Sequence, residues 1–543
     1  MNRPASTPPT PFDYCQRLFL SGLIFYWFAL ALVLPITTGD AHTYNLARLA
    51  ITEQEGFLSD APWNFEHQAV LPWAFDAVHY PFLHCGAGYS LPSFFTFLGI
   101  LIVVFQMVAS SRGPRTGLWC CLIPFSMPTI LFQASTTKND MILAFCLALW
   151  IYALWRWRRE KAPRHLFWAA LAPAFAAGSK TSGLLLLLPM SAAAAYLLRN
   201  HRGLLVRYAL VTMAGLLLFG SPETYYRSWK LYGHPLGPPS IRIDHANRDG
   251  VKGAAANTLR YVIGNANFAW ASVFTTAPSI EAENFCRSFL KKIGLENKGY
   301  RPDFSDGNLR FLRNGWESTS DYGPVGFLVL LLSLAVLALA PPRSPPFFLS
   351  LTGWAWLLVV SATVAWMPWN NRFLLISFFC FSFSSVLFLC QRPWEIPWFP
   401  RFALIGLTGY AVLCPLGSYN RHPGMFAASL QRRADTTTME NPVIGRILGD
   451  LSSFFPENPR VTLVLCPGPD SWVLPFYLHP KFTVYNRPNL TPAEFQTLCS
   501  IHPPVALLVL DRRSAFPEEK FHVAKIASYP LRTTAFYIPA PGP

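Results

Sequence analysis

Arg17–Leu49 reads RLFLSGLIFYWFALALVLPITTGDAHTYNLARL. One basic residue precedes an apolar run from Leu18 to Ile36, about nineteen residues, the length that crosses a bilayer core. The character then changes abruptly at Thr37-Thr38-Gly39-Asp40. The run is longer than a signal-peptide core and lacks a small-residue cleavage site, so it is expected to remain as a first membrane span.

The same kind of block recurs along the chain. Further blocks begin near Leu91, Gly117, Met141, Leu166, Gly183, Leu204, Gly323, Phe347, Phe373 and Phe402, which makes about eleven spans. The Leu166 block is short and polar at its end, so the count can shift by one. Composition agrees. Of 543 residues, 52% are hydrophobic and 13% charged, against about 25% charged in soluble domains. The mean hydropathy is +0.28.

The formal net charge is +15, which invites a nucleic-acid reading. The placement of the charge argues against that partner. Arg112 and Arg115, Arg156 to Arg164, Arg199 to Arg207, Arg343, and Arg392 with Arg401 sit in alternate short links. With Arg3 and Arg17 they mark the cytoplasmic side by the positive-inside rule. The N-terminus is then inside, and eleven spans put the C-terminus outside. Residues 1–14 are Pro-rich and expected to be disordered. Residues 15–420 form the membrane domain, with outer loops 37–90 and 223–322. Residues 421–543 read as a small extracytoplasmic α/β domain. In it, Val461–Cys466, Phe482–Tyr485 and Val505–Leu510 are strand-like, Thr491-Pro492-Ala493-Glu494 is a capping box, and Thr533–Ile538 is an edge strand.

Eleven cysteines show no CxxC pair, and most fall inside apolar blocks, where a thiol behaves as a small hydrophobe. Cys466 and Cys499 could pair in an oxidising compartment. His42, His67, His79 and His84 share the first outer loop with Glu66 and Asp76, without the fixed spacing of a metal site. No cofactor is predicted.

Polar clusters at the outer ends of spans are the strongest functional signal, because charge near hydrocarbon needs a reason. Asp40 is either a helix N-cap or a general base. Lys138-Asn139-Asp140 is either a capped, solvated turn or part of a site. Gly178-Ser179-Lys180-Thr181-Ser182-Gly183 lacks the glycines of a nucleotide phosphate loop. Its lysine either snorkels or holds a lipid phosphate. Tyr225-Tyr226-Arg227 follows the seventh span, where an aromatic belt accounts for the tyrosines. Arg372 is an interface anchor or an anion ligand.

Taken in order, these clusters resemble the GT-C superfamily of membrane glycosyltransferases. The similarity is to its bacterial branch of protein O-mannosyltransferases and the lipid A aminoarabinose transferase (glycosyltransferase family 39-like). The matching stretches are Gly39-Asp40-Ala41-His42, Thr137-Lys138-Asn139-Asp140, Ser179-Lys180-Thr181, Tyr232-Gly233-His234-Pro235 and Asn371-Arg372-Phe373-Leu374-Leu375. The chain departs from the family at Ala41, where a second acidic residue is common, and at Ile376, where proline is common. The resemblance implies a polyprenyl-phosphate-linked sugar donor and a glycan acceptor, protein or lipid, on the outer face of a bacterial inner membrane. It implies Asp40 as the base and His42, Tyr44 and Arg48 around the acceptor. Lys138, Asn139, Asp140, Lys180, Tyr226, Arg227 and Arg372 are then expected around the donor, with membrane lipids as further partners. The competing readings are a lipid or glycan flippase, which calls for paired repeats or broken mid-membrane helices, and a non-catalytic envelope-assembly protein.

Overall fold

The computed structural model describes residues 11–34, 40–56, 66–85, 87–266, 277–295, 321–342, 344–367, 369–391, 398–416, 462–466, 483–486, 493, 497, 505–509, 521–529 and 532–539. Each apolar block of the sequence carries helix. Among the described residues, seven helices are long and apolar enough to cross a membrane: Asp13–Val33, Leu91–Arg112, Asp140–Glu160, Thr181–Leu198, Arg202–Phe219, Pro345–Thr363 and Asn370–Leu389. Gly323–Leu339 and Leu404–Leu413 are shorter apolar helices, and Pro163–Ser179 spans 17 residues. The chain is a polytopic α-helical membrane protein.

The Gly117 block is not one rod. Helices Pro114–Phe125 and Pro128–Ala134 meet at 87°. Pro128 has no N–H to continue the ladder, and its ring forces Met127 out of the helical region to φ −121°, ψ 107°. The bend is pinned from both sides. Trp27 Nε1–H donates to Leu131 O at 3.0 Å, and the Thr129 hydroxyl donates to Asp321 O at 2.7 Å. Phe125 sits edge-on to Trp27 and Phe97, with centroids 6.4 and 5.1 Å away. All three rings are fully buried.

Small residues let neighbouring helices approach closely, as in other membrane bundles. A Cβ on Gly178 would collide with Phe219 O, and one on Gly183 with Ala176 O. Hydrogen bonds confirm the contact between Pro163–Ser179 and Arg202–Phe219. Thr212 Oγ donates to Ala170 O at 3.1 Å, and Ser221 Oγ to Gly178 O at 3.0 Å.

The chain divides into two compact units. The first, Met1–Leu34, Ser90–Ser221 and Pro239–Ala427, holds the membrane helices. It also holds the helix Gly250–Ala266. The second gathers Pro35–Tyr89, Pro222–Pro238 and Ala428–Pro543. Its first segment is a π-helical turn at Ala41–Asn45, a helix at Leu46–Glu55 and three short helices.

The second unit also contains a five-stranded sheet: β1 (Thr462–Cys466), β2 (Thr483–Asn486), β3 (Val505–Val509), β4 (Phe521–Tyr529) and β5 (Arg532–Pro539), in the order β2-β1-β3-β5-β4. The first three strands are parallel, with Val464 opposite both Tyr485 and Leu507. β5 joins β3 antiparallel, Leu508 facing Phe536. The Thr533–Ile538 strand is therefore interior, not an edge, and the sheet is mixed. The edges are β2 and β4, and β4 is absent from the strands read in the sequence. A bulge between Val523 and Lys525 breaks its period-2 pattern. Cys499, the side chain of Cys466 and the capping box at Thr491-Pro492 lie outside the described residues.

Candidate active site

In the membrane unit, the segment between helices Pro128–Ala134 and Asp140–Glu160 is buried throughout. Lys138 is 3% exposed, Asn139 8% and Asp140 4%. That excludes a solvated turn. Asn139 occupies the N-cap position but makes no capping bond. Its amide instead donates to Ser179 O at 2.8 Å, tying the turn to the start of the Lys180 segment. Ser93 Oγ holds Lys138 O at 3.1 Å. Asp140 opens its helix, where the macrodipole favours a carboxylate.

Two cations converge on Asp140. Lys180 is extended at φ −158°, ψ 142°, between helix Pro163–Ser179 and a 3-10 turn. Its Nζ donates to Asp140 Oδ1. A snorkelling lysine would point away to solvent; this one turns inward. Arg372 lies in the 3-10 turn Asn370–Leu374, with Nε 3.8 Å from Asp140 Oδ2 and the side chain 10% exposed. Lys180 Nζ and Arg372 Cζ both sit on the Phe373 ring, 4.4 and 5.2 Å from its centroid. Lys138 is a third cation within electrostatic reach of the carboxylate. Three positive charges thus face one buried carboxylate.

The turn that carries Arg372 is itself held by groups the sequence reading did not select. Asn265 and Asn371 exchange amide bonds, Nδ2 to Oδ1 at 3.1 Å and back at 3.3 Å. Tyr322 N donates to Asn265 Oδ1 at 3.1 Å, and Tyr322 Oη to Asn371 O at 3.0 Å. Tyr322 stacks on Phe378 with centroids 3.6 Å apart. A signal did exist. Asn257, Arg260, Tyr261, Gly264 and Asn265 recur at helical spacing on the buried stripe of Gly250–Ala266, so that stripe is polar where an apolar one is normal.

In the second unit, Asp40 stands at the N-cap of the π-helical turn and makes no side-chain capping bond. Its carboxylate is half-buried. Tyr44 stacks on His67 at 5.7 Å, and the side chain of His42 lies outside the described residues. Arg48 is 2% exposed. Its guanidinium is paired with Asp76 and bonded to the carbonyls of Leu71 and Pro72. Asn45 Nδ2 donates to the other Asp76 oxygen at 2.7 Å. Arg48 is thus a buried clamp of this segment. Trp73 Nε1–H donates to Glu223, joining the segment to helix Pro222–Tyr232. On that helix Arg227 is 8% exposed, whereas Tyr226 is 63% exposed beside Trp229, as an aromatic-belt residue would be. Among the described residues no three His, Cys, Asp or Glu side chains converge as a metal site.

The sequence profile of the dolichyl-phosphate-mannose-protein mannosyltransferase family matches residues 66–226. That stretch includes Lys138, Asp140 and Lys180 and excludes Asp40 and Arg372. No curated protein matches the chain in sequence. Two crystal structures of ArnT from Cupriavidus metallidurans match it in fold, one bound to undecaprenyl phosphate and one in the apo state. The TM-score is 0.53 for each, at 14% and 13% identity, over 97% of this chain and 98% of theirs. Identity that low speaks for a shared fold over nearly the full length. Both comparisons fall in the GT-C superfamily that the sequence motifs resemble.

Proposed function

We propose that this chain is a GT-C glycosyltransferase that moves a sugar from a polyprenyl-phosphate donor to an acceptor hydroxyl on the extracytoplasmic face of a bacterial inner membrane. The observation that carries this reading is the convergence of Lys138, Lys180 and Arg372 on Asp140 in a buried site where membrane helices begin. A phosphodiester linking sugar to lipid bears one negative charge. When the sugar–phosphate C–O bond breaks, the departing polyprenyl phosphate bears up to two. Preorganised cations bind the second state better than the first, which is the condition for lowering the barrier. ArnT, whose fold the chain shares, holds undecaprenyl phosphate in its crystal structure, which supports the same class of donor here.

In the proposed reaction the acceptor oxygen attacks the anomeric carbon, its proton passes to the Asp40 carboxylate, and the lipid phosphate leaves toward Lys138, Lys180 and Arg372. Asp40 takes the base role from the family motif. Tyr44 and His42 are assigned to the acceptor side, while the Arg48 clamp keeps their segment in shape. The N-terminus is assigned to the cytoplasm. Envelope glycan and lipid profiling of a deletion strain tests the reading. One glycoconjugate should disappear, return with the wild-type chain, and fail to return with Asp40→Asn expressed at equal level. Full restoration by Asp40→Asn overturns the base assignment, and an unchanged profile in the deletion strain overturns the transferase.

A further inference from the structure

The far end of the helix that begins at Asp140 carries a second concentration of charge, of a different kind. Between residues 141 and 222 the only acidic residue is Glu160, against eight arginines and lysines outside the Lys180 segment. All eight lie at the ends of four helices: the last turn of Asp140–Glu160, the first of Pro163–Ser179, the end of Leu184–Leu198 and the start of Arg202–Phe219. Orientation by the positive-inside rule needs a bias of charge in the links. It does not need the charges to be gathered in one place.

The fold gathers them. The two turns meet over Trp157. Lys161 Nζ lies 4.7 Å from that ring's centroid, and the His201 ring stands edge-on at 6.1 Å. Lys161 takes a left-handed backbone, φ 55°, which folds its turn back sharply. Beneath them Ala153, Leu154, Leu166, Ala194 and Leu198 form one buried cluster. The two turns are therefore one surface. Arg159 and Arg199 are spread flat on Trp155 and Tyr196, at 4.8 and 4.0 Å. Glu160 is shared among Arg156, Arg164 and His165. Arg158, Arg159, Lys161, Arg164, Arg199, Arg202 and Arg207 are all exposed. One turn further along, Phe167 and Trp168 are 46% and 51% exposed and Tyr196 66%. Exposed rings next to cations are the pattern of headgroup depth, apolar on one side and wet on the other.

We infer that this surface binds the headgroups of anionic phospholipids in the adjoining leaflet. The rings place it at the lipid boundary, which commits the occupant to a membrane lipid, and guanidinium groups match the phosphate oxygens geometrically. The inference concerns a surface apart from the Asp140 cluster and stands whatever reaction that cluster serves.

Native mass spectrometry of the full-length protein released from micelles with equimolar phosphatidylglycerol and phosphatidylcholine tests it. The wild type should retain phosphatidylglycerol preferentially, and less of it as salt is raised before release. Retention should weaken about fivefold per charge removed in a variant combining R158Q, R159Q, R164Q and R202Q. Glu160→Gln removes the only acid and should strengthen retention; it keeps the question decidable if the four-site variant does not fold. Equal retention of the two lipids, or unchanged retention in the four-site variant, overturns the inference. Displacement of the lipid by millimolar inorganic phosphate alone also overturns it, by pointing to a free-anion site.

Discussion

Asp140 is the residue on which the membrane unit's site balances. Removing its charge takes away the carboxylate on which Lys180, Arg372 and Lys138 converge in a buried place. Breaking a buried ion pair from one side costs about 3–5 kcal/mol. Asp140→Asn should therefore lower the thermal midpoint of the purified protein sharply, and added polyprenyl phosphate should recover part of the loss by supplying the missing negative charge. A midpoint equal to wild type contradicts the geometry. In the second unit His79 is fully buried. Its Nδ1 faces Phe75 O at 3.1 Å. Burial holds its imidazole below the ordinary value, outweighing the pull of Asp76. The unfolded chain then takes up a proton as pH falls below about 6.5 while the folded chain resists. Stability is complete above that pH and declines below it. The midpoint of wild type should fall more steeply between about pH 7 and pH 5 than that of His79→Gln; parallel curves count against it.

Helices and turns set what these residues can do. Gly178 sits where Pro163–Ser179 meets the end of Arg202–Phe219, and a methyl there has no space. Gly178→Ala should cost about 1–3 kcal/mol by overpacking and should weaken donor binding, because the same helix delivers Lys180. Thermal melting and lipid-phosphate binding on one preparation check both. The sequence made much of this legible. Apolar length located the helices, since a bilayer imposes one dimension on each span. Charge at helix ends located Asp140, Lys180 and Arg372, since unneeded charge is costly there. The Asn265–Asn371 exchange and the role of Tyr322 were not legible. They depend on partners 49 to 106 positions apart, and the polar stripe of Gly250–Ala266 does not by itself name them. Arg48 was misleading for a related reason. An arginine beside the stretch proposed to carry the base looks like a ligand until its burial against Asp76 is visible. The outer strand β4 escaped because its bulge shifts the alternation halfway along.

For the molecule as a whole, two thiols report the proposed orientation. Cys15 and Cys85 are exposed, whereas Cys120, Cys121, Cys146, Cys286 and Cys380 are buried. In single-cysteine versions, a membrane-impermeant maleimide should label Cys85 in intact spheroplasts and Cys15 only after permeabilisation. The reverse pattern inverts the topology. The convergence of cations on Asp140 also bears on turnover in the proposed reaction. A cradle tuned to the departing phosphate does not release it readily, so the spent carrier should linger and compete with fresh donor. Each cycle then waits for the carrier to diffuse out along the bilayer, and the rate in a membrane should track how fast the spent carrier is cleared as much as how fast the sugar moves.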